Sequence, residues 1–244
     1  MRYRYARMVE RVQPGRLIAA LPGGERVRLL AAHRQMCWNP VEYDAFRADV
    51  RRGDTVLDVG ANIGAYTALF AQWVGDTGRV IAFEPAPTAY AALCGMLQAN
   101  GLSSRVTALQ QAVSDREGSA SFTAHGDDGG NRLCGPGAAD AVTVATTTID
   151  GVCQRLRLRP RLMKIDVEGA ELDVLRGARA TIAAADDLRL YMEIHPRLWA
   201  SFGASREALE AELQAQRLRP ERLDGDPDVW GLEGVCLRLV RCGS

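Results

Sequence analysis

Short, almost wholly apolar runs alternate with longer stretches of helical spacing through most of this chain. TVLDVG ends at Gly60 and gives way to a helical run from Ala65 to Val74. RVIAFEP follows, then a second helical run from Pro87 to Asn100, stopped by Asn100-Gly101. VTALQQAV reads as a third strand. RLMKIDV reads as a fourth, preceded by the helical TTTIDGVCQRLRL and followed by the helical ELDVLRGARATIAA. LRLYMEIH is a fifth, with a helix over Arg206 to Leu218 behind it, and GVCLRLV is a last strand at the sheet edge. Strands that lack polar alternation are covered on both faces. The expected fold is therefore α/β, a mostly parallel Rossmann-like sheet whose last strand runs antiparallel.

Two regions depart from that rhythm. In residues 1–52, LIAALPGGERVRLL predicts a hairpin around Pro22-Gly23-Gly24, with a further turn at Pro14-Gly15 and a helix over Val41 to Val50 closed by Arg51-Arg52-Gly53. This reads as a small N-terminal module before the main domain, 53–244, and not as a separate domain. The second departure is the Gly- and Asp-rich SFTAHGDDGGNRLCGPGAADAV, with one strand expected at each end. A polar insertion of this length, bounded at 118–146, is expected to be a substrate loop or lid over the carboxyl edge of the sheet.

Composition narrows the partners. Thirty basic and thirty acidic side chains give zero formal charge over 244 residues, which disfavours nucleic acid as a partner. Cys37, Cys94, Cys134, Cys153, Cys236 and Cys242 show no CxxC or finger spacing and read as buried thiols in a reducing compartment. MRYRYARMVERVQ has no apolar core of a signal peptide, and no run approaches the roughly 20 apolar residues of a membrane span. A cytoplasmic protein without a membrane partner is expected.

The chemistry concentrates where strands end. Asp58-Val-Gly-Ala-Asn-Ile-Gly64 turns from the first strand into a helix, and small residues there let a ligand approach the backbone and the helix amides. Glu84, at the end of the second strand, suits a ribose diol, so turn and acid together imply an adenosine-bearing cofactor. A dinucleotide site prefers GxGxxG, because its second glycine admits the pyrophosphate. Here Asn62 fills that place, and Asp58 can instead face an ammonium, directly or through water.

VLDVGANIGAYTALFA, VIAFEP and LMKIDVEGAELDVLRGA resemble the FkbM-type methyltransferases, from about Gly53 to His195. The resemblance implies a class I fold using S-adenosyl-L-methionine, with a hydroxyl oxygen of a sugar, polyketide or other natural product as methyl acceptor. It implies that Asp58, Gly60, Asn62 and Gly64 cradle the methionine part of the cofactor and Glu84 the ribose. Within Gln111 to Asp115, Ala112 and Ser114 are the alternatives for adenine.

Period-two alternation puts Lys164, Asp166 and Glu168 on one side of the fourth strand, and Glu193 and His195 on one side of the fifth. Buried charges must pair with each other, a ligand or a metal. His195, with an ordinary pKa of about 6.5, is the expected general base for an in-line methyl transfer, oriented by Glu193. Asp166 is the alternative base, and Lys164 would stabilise a carboxylate or a developing alkoxide. Glu171, at the start of the following helix, reads as a partner of the helix dipole. A second version sets a divalent ion such as Mg²⁺ among Asp166, Glu168, Glu193 and His195; the metal-free version is preferred. His33 and His125 rank below His195.

Rival readings are an NAD-dependent oxidoreductase, a nucleic-acid base methyltransferase and a non-catalytic binding module. The first is disfavoured by Asn62 and by the lack of a Tyr-Lys or Cys pair. The second would carry an Asn/Asp-Pro-Pro-aromatic stretch where this chain has IDVEG, and the third has no need of the charged cluster. Trp38, Tyr43, Asn131 and Trp199 are candidates for an acceptor pocket as well as for core packing. A homodimer through the hairpin or the edge strand is among the arrangements the sequence permits.

Overall fold

The computed structural model of the chain describes residues 8–13, 16–30, 36–123, 132–134, 141–231 and 233–243. Strands β1 (Met8–Gln13), β2 (Arg16–Ala20) and β3 (Arg26–Leu29) form an antiparallel sheet in that order. The hairpin around Pro22-Gly23-Gly24 is thus present, and β1 extends it by one strand that the sequence pattern did not announce. Helix α1 (Pro40–Asp49) starts where Asn39 caps it, its side chain accepting from the Val41 amide, with Pro40 at the first helical position.

Then come β4 (Thr55–Val59), α2 (Ala65–Val74), β5 (Arg79–Phe83), α3 (Pro87–Ala99) and β6 (Val106–Leu109). The expected third strand breaks at Gln110 and Gln111. Its second half, β7 (Ala112–Val113), leaves the main sheet to join β8 (Gly118–Thr123), β9 (Arg132–Cys134) and β10 (Ala141–Thr147) in a four-stranded sheet ordered β7-β10-β8-β9. The strands expected at the two ends of the insertion are therefore β8 and β10, paired antiparallel from Thr123↔Ala141 to Gly118↔Thr146. Phe122 and Val144 anchor their base against Ala86, Ala89 and Ala112. Residues 124–131 and 135–140, with His125 and Asn131, lie outside the described residues, as do Pro14-Gly15 and His33.

The remainder is α4 (Ile149–Leu156), β11 (Leu162–Ile165), α5 (Glu171–Arg176), α6 (Arg179–Ala184), β12 (Arg189–Ile194), α7 (Pro196–Trp199), a 3-10 turn (Ala200–Phe202), α8 (Arg206–Ala215), β13 (Leu218–Arg222) and β14 (Val235–Arg241). The single helix expected after the fourth strand is split at Gly177, where the chain passes so close to Ser114 that a Cβ would meet its carbonyl at 2.1 Å. Leu218, expected to end α8, instead opens β13. The main sheet is ordered β13-β14-β12-β11-β4-β5-β6. β14 runs antiparallel to both its neighbours, as expected of the last strand. It lies inside the sheet, however, and β13 forms the edge.

Alternation along the strands sorts side chains into two cores. Val56, Val80 and Leu162 face one core with α1 and α2; Leu57, Val59, Ile81, Met163 and Ile165 face the other with α4, α5 and α8. The N-terminal segment shares the first core: Ala19, Val27, Trp38, Tyr43 and Phe46 are buried in it together with Phe70 and Tyr191. Trp38 and Tyr43, considered for an acceptor pocket, are packing residues, the Trp38 ring nitrogen donating to the Ala65 carbonyl (2.9 Å). Among the cysteines whose side chains are described, Cys153 and Cys236 are the buried thiols expected, Cys37 and Cys94 are half-buried and Cys242 is exposed. No helix among the described residues is long and apolar enough to cross a membrane.

Phe46 is fully buried, with ring centroids 5.1 Å from Tyr66, 5.6 Å from Phe70 and 4.8 Å from Tyr191. Phe46→Ala should cost about 3–5 kcal/mol in urea unfolding while the transition stays single, since α1 and the sheet share one core. A separate early transition for the N-terminal segment would contradict that coupling.

Candidate active site

The glycine turn is shaped by close approaches. Gly60 has φ 81° and lies so near β11 that a Cβ would meet the Asp166 carbonyl at 1.7 Å, so no other residue fits. The Gly60 and Ala61 amides both donate to the Phe83 carbonyl (3.0 and 2.9 Å), tying the turn to β5. Asn62 follows in the left-handed region (φ 48°), where asparagine is among the few side chains tolerated. Gly64 caps α2 at φ 89° without any side-chain cap, which leaves the first helix amides open. Its missing Cβ makes room for Leu93 and Met96.

A cleft of about 620 Å³ opens beside this turn, lined among others by Gly60, Asn62, Glu84, Ala112, Phe122 and Glu168. Glu84 closes it from the end of β5. Its Oε2 accepts from the Asn62 amide (2.7 Å) and its Oε1 from the Ala86 amide (2.8 Å), so the acid also braces the turn. Burial raises its pKa to about 7 against the pull of those two amides. Asn62 Oδ1 is buried without a partner, an acceptor left over for a ligand's donor.

Three predicted binding residues stand apart from the cleft wall. Gly64 sits behind it. Ser114 is buried, its amide donating to the Thr147 carbonyl (2.9 Å), so of the two adenine candidates only Ala112 lines the cleft. Asp58 is fully buried and faces an ammonium, but that of Lys164, 3.8 Å from Oδ1, while Thr67 donates to Oδ2 (2.5 Å). Burial raises the Asp58 pKa, and Lys164 opposes the rise.

Register explains this pairing. Lys164 on β11 lies opposite Asp58 on β4 and Tyr191 on β12, so all three point to the α1–α2 side of the sheet. The Lys164 Nζ donates to Asp166 Oδ2 (3.1 Å) and lies 5.6 Å from the centroid of the Tyr66 ring. Burial alone would lower its pKa, but Asp166, Asp58 and Glu193 outweigh it and hold the ammonium charged.

Beyond Ile165 the strand stops, and Glu168 adopts φ 52°. The alternation expected to carry Glu168 beside Asp166 therefore ends early, yet the turn brings its carboxylate within 3.7 Å of His195 Nε2. The same nitrogen lies 3.6 Å from Glu193 Oε1 and 4.0 Å from Asp166 Oδ1. The four predicted groups Asp166, Glu168, Glu193 and His195 thus converge. Asp166, Glu168 and His195 have ligand atoms all within 4.8 Å of one another, close enough to hold an ion.

On the His195 ring, Glu193 faces Nε2 at 3.6 Å, as expected, and the Nδ1 side is held by Glu171. Its Oε1 lies 2.9 Å from His195 Nδ1 and accepts from the Gly169 amide (3.0 Å), while its Oε2 accepts from Trp199 (2.9 Å). Glu171 is fully buried, which a partner of the helix dipole alone would not be. Trp199, an acceptor-pocket candidate, belongs to this support. Nor does His195 keep an ordinary pKa. Burial would lower it, but Glu171, Glu193, Asp166 and Glu168 together push it up to about 11, so the ring is an imidazolium at neutral pH. Glu168, like Glu84, is a cleft carboxylate with neutral-range affinity: burial lifts it to about 7, with His195 acting against the rise.

A sheet in this order, with a glycine turn after β4 and an acid closing β5, is the class I methyltransferase fold. The chain belongs to the methyltransferase FkbM domain family, which residues 58–217 match, more than half of its length. It is 30% identical to the methyltransferase sdnD of Sordaria araneosa over 154 residues, 50% of this chain and 59% of that protein. Over 81 residues it is 44% identical to the 31-O-demethyl-FK506 methyltransferase FkbM of Streptomyces tacrolimicus, covering 32% of this chain and 29% of that one. The crystal structure of methyltransferase FkbM from Methylobacillus flagellatus KT superposes with a TM-score of 0.51 at 19% identity, covering 82% of this chain and 50% of that one. The chain thus spans well under two thirds of the curated relatives it matches.

Because the folded-state pKa of His195 lies above the ordinary histidine value of 6.5, its charge adds stability in full below pH 6.5, and that stability is lost as pH rises through about 11. Glu171→Ala should bring the His195 pKa down and leave Trp199 without its acceptor, at a cost of about 2–4 kcal/mol near neutral pH. Imidazole titration by NMR together with urea unfolding measures both. An unmoved His195 pKa would refute the Glu171 assignment.

Proposed function

We propose that this chain is an S-adenosylmethionine-dependent O-methyltransferase acting on a hydroxyl of a small molecule or sugar. The observation that carries the reading is the cleft in which the orphaned Asn62 Oδ1 and the Glu84 carboxylate converge beside the glycine turn. Asn62 Oδ1 accepts from an ammonium, and each Glu84 oxygen keeps a lone pair for a ribose hydroxyl. Gln111, Ala112 and Val113 would flank the adenine. Bound there, S-adenosylmethionine supplies an electrophilic methyl on a sulfonium. The hydroxyl acceptor is supported by the Streptomyces relative, named for a 31-O-demethyl substrate.

The chain's own groups then divide the work. Glu168 accepts the acceptor's proton, having an affinity matched to neutral pH and a place on the cleft wall. His195, held by Glu171, stays charged and keeps Glu168 from rising further. Lys164 holds Asp166 in place. Asp58 and Gly64 act from behind the cleft by fixing Lys164 and the start of α2. Lys164 already bonds Asp166, and His195 lies against Glu168 and Glu193, so the metal-free version is retained. The partner is a small acceptor and not a nucleic acid.

Calorimetry should detect both S-adenosylmethionine and its demethylated product, and neither NAD nor NADP. Glu84→Gln should weaken that binding about 10–100-fold with the fold intact. Absence of binding to the unmodified chain would overturn the reading. Since the base must be deprotonated, kcat/KM should rise with pH through about 7, the value for Glu168. Glu168→Gln should abolish the rise and cost about 10²–10⁴ in kcat. Activity should survive exhaustive chelation; a complete loss restored by Mg²⁺ would reinstate the ion.

A further inference from the structure

The cofactor cleft changes chemistry from one end to the other, and Glu84 stands at the change. Its two oxygens are held from opposite sides, Oε2 by the Asn62 amide and Oε1 by the Ala86 amide. On the Asn62 side lie the glycine turn and Asp166, whose carbonyl Gly60 approaches closely. On the Ala86 side the surroundings are apolar. Ala86 packs there with Ala89, Ala112, Phe122 and Val144, and of these Ala112 and Phe122 reach the cleft wall.

Phe122 comes from the insertion. It stands on β8 opposite Val142 of β10, and β10 in turn pairs with β7 through Thr146↔Ala112 and Thr147↔Val113. The residues of β7 and β8 that wall this end of the cleft therefore belong to the second sheet, not to the main one. The Phe122 side chain is 3% exposed, and its neighbours in the cluster are three alanines and a valine. Short side chains support the ring from behind without enclosing it. A ring that only packed the base of the insertion would have no side on the cleft, and Phe122 has one.

We propose that Phe122 is a cofactor-binding residue whose ring forms the wall against which the adenine of S-adenosylmethionine packs. The base of the insertion is then part of the cofactor site. The inference rests on the methyltransferase reading and adds to it a residue outside the glycine turn and Glu84. A ligand that matches this cleft has a charged tail for Asn62, a diol for Glu84 and a flat group of low polarity beyond it. S-adenosylmethionine carries these three parts in that order. Aromatic side chains are efficient partners for the faces of a nucleobase, because both surfaces are flat and weakly hydrated. Ala112, on the neighbouring wall, has no bulk to stand in the way of the base.

The test compares two ligands that differ in the base alone: S-adenosylhomocysteine, and S-ribosylhomocysteine, which lacks the adenine. Phe122→Leu keeps an apolar side chain on the alanines and removes the flat ring. It should weaken S-adenosylhomocysteine at least about fivefold and leave S-ribosylhomocysteine within about twofold. Phe122→Tyr, which keeps the ring, should hold S-adenosylhomocysteine within about threefold of the unmodified chain. A second readout needs no substitution. Saturating S-adenosylhomocysteine should slow amide hydrogen exchange in β8 and β10, and saturating S-ribosylhomocysteine should not. Equal losses for the two ligands in Phe122→Leu, no loss for either, or exchange in β8 and β10 that ignores S-adenosylhomocysteine would overturn the proposal. In each of those cases binding of S-adenosylhomocysteine to the unmodified chain leaves the methyltransferase reading standing; failure of that binding removes the methyltransferase reading first.

Discussion

A buried ammonium organises this molecule. Lys164 lies in the centre of the sheet with 4% of its surface exposed, in register with Asp58 on the neighbouring strand and bonded to Asp166 one step beyond its own. Removing Lys164 would strand Asp58 in the interior, which is far costlier than the pair is stabilising. The requirement fixes the register of β4 against β11, and with it the height at which Gly60 meets the Asp166 backbone. Cleft, charged cluster and α1 all take their positions from that register.

Around this centre the carboxyl edge of the sheet carries an excess of acids. Asp58, Asp166, Glu168 and Glu193 face only Lys164 and His195, and their mutual repulsion shows in the raised pKa of Glu168 and Glu193. In Glu193 the Asp166 charge is the leading cause, with burial second. Such an edge favours cationic or proton-donating ligands over anionic ones. The sulfonium cofactor proposed for the cleft suits this electrostatic bias.

The polar support around His195 illustrates how little a motif conveys of its own wiring. Sequence spacing shows Glu193 and His195 on one face, and they do approach. The ring is nevertheless held from the opposite side by Glu171, a residue 24 positions earlier at the start of α5. Its acid also suits a helix N-terminus, and that local explanation hid the tertiary one. The signal that could have exposed it is the run KIDVEGAE itself, in which a third acid, Glu171, follows two positions after the glycine.

Local sequence was sufficient for the elements that carry strong period and punctuation. Helix α2 spans Ala65 to Val74 as its pattern predicted, because glycines bound it at both ends and every intervening residue tolerates a helix. The four apolar strands β4, β5, β11 and β12, the glycine turn and Glu84 were legible for the same reason: each is marked by a local apolar run and the turn that ends it. What depended on distant chain could not be read. β13 took over the end of a helix pattern and claimed the edge, the third strand split so that β7 could pair with β10, and His195 acquired a charge from four carboxylates on three segments. Burial and charge density are sums over everything packed nearby, and only the folded chain decides which groups those are.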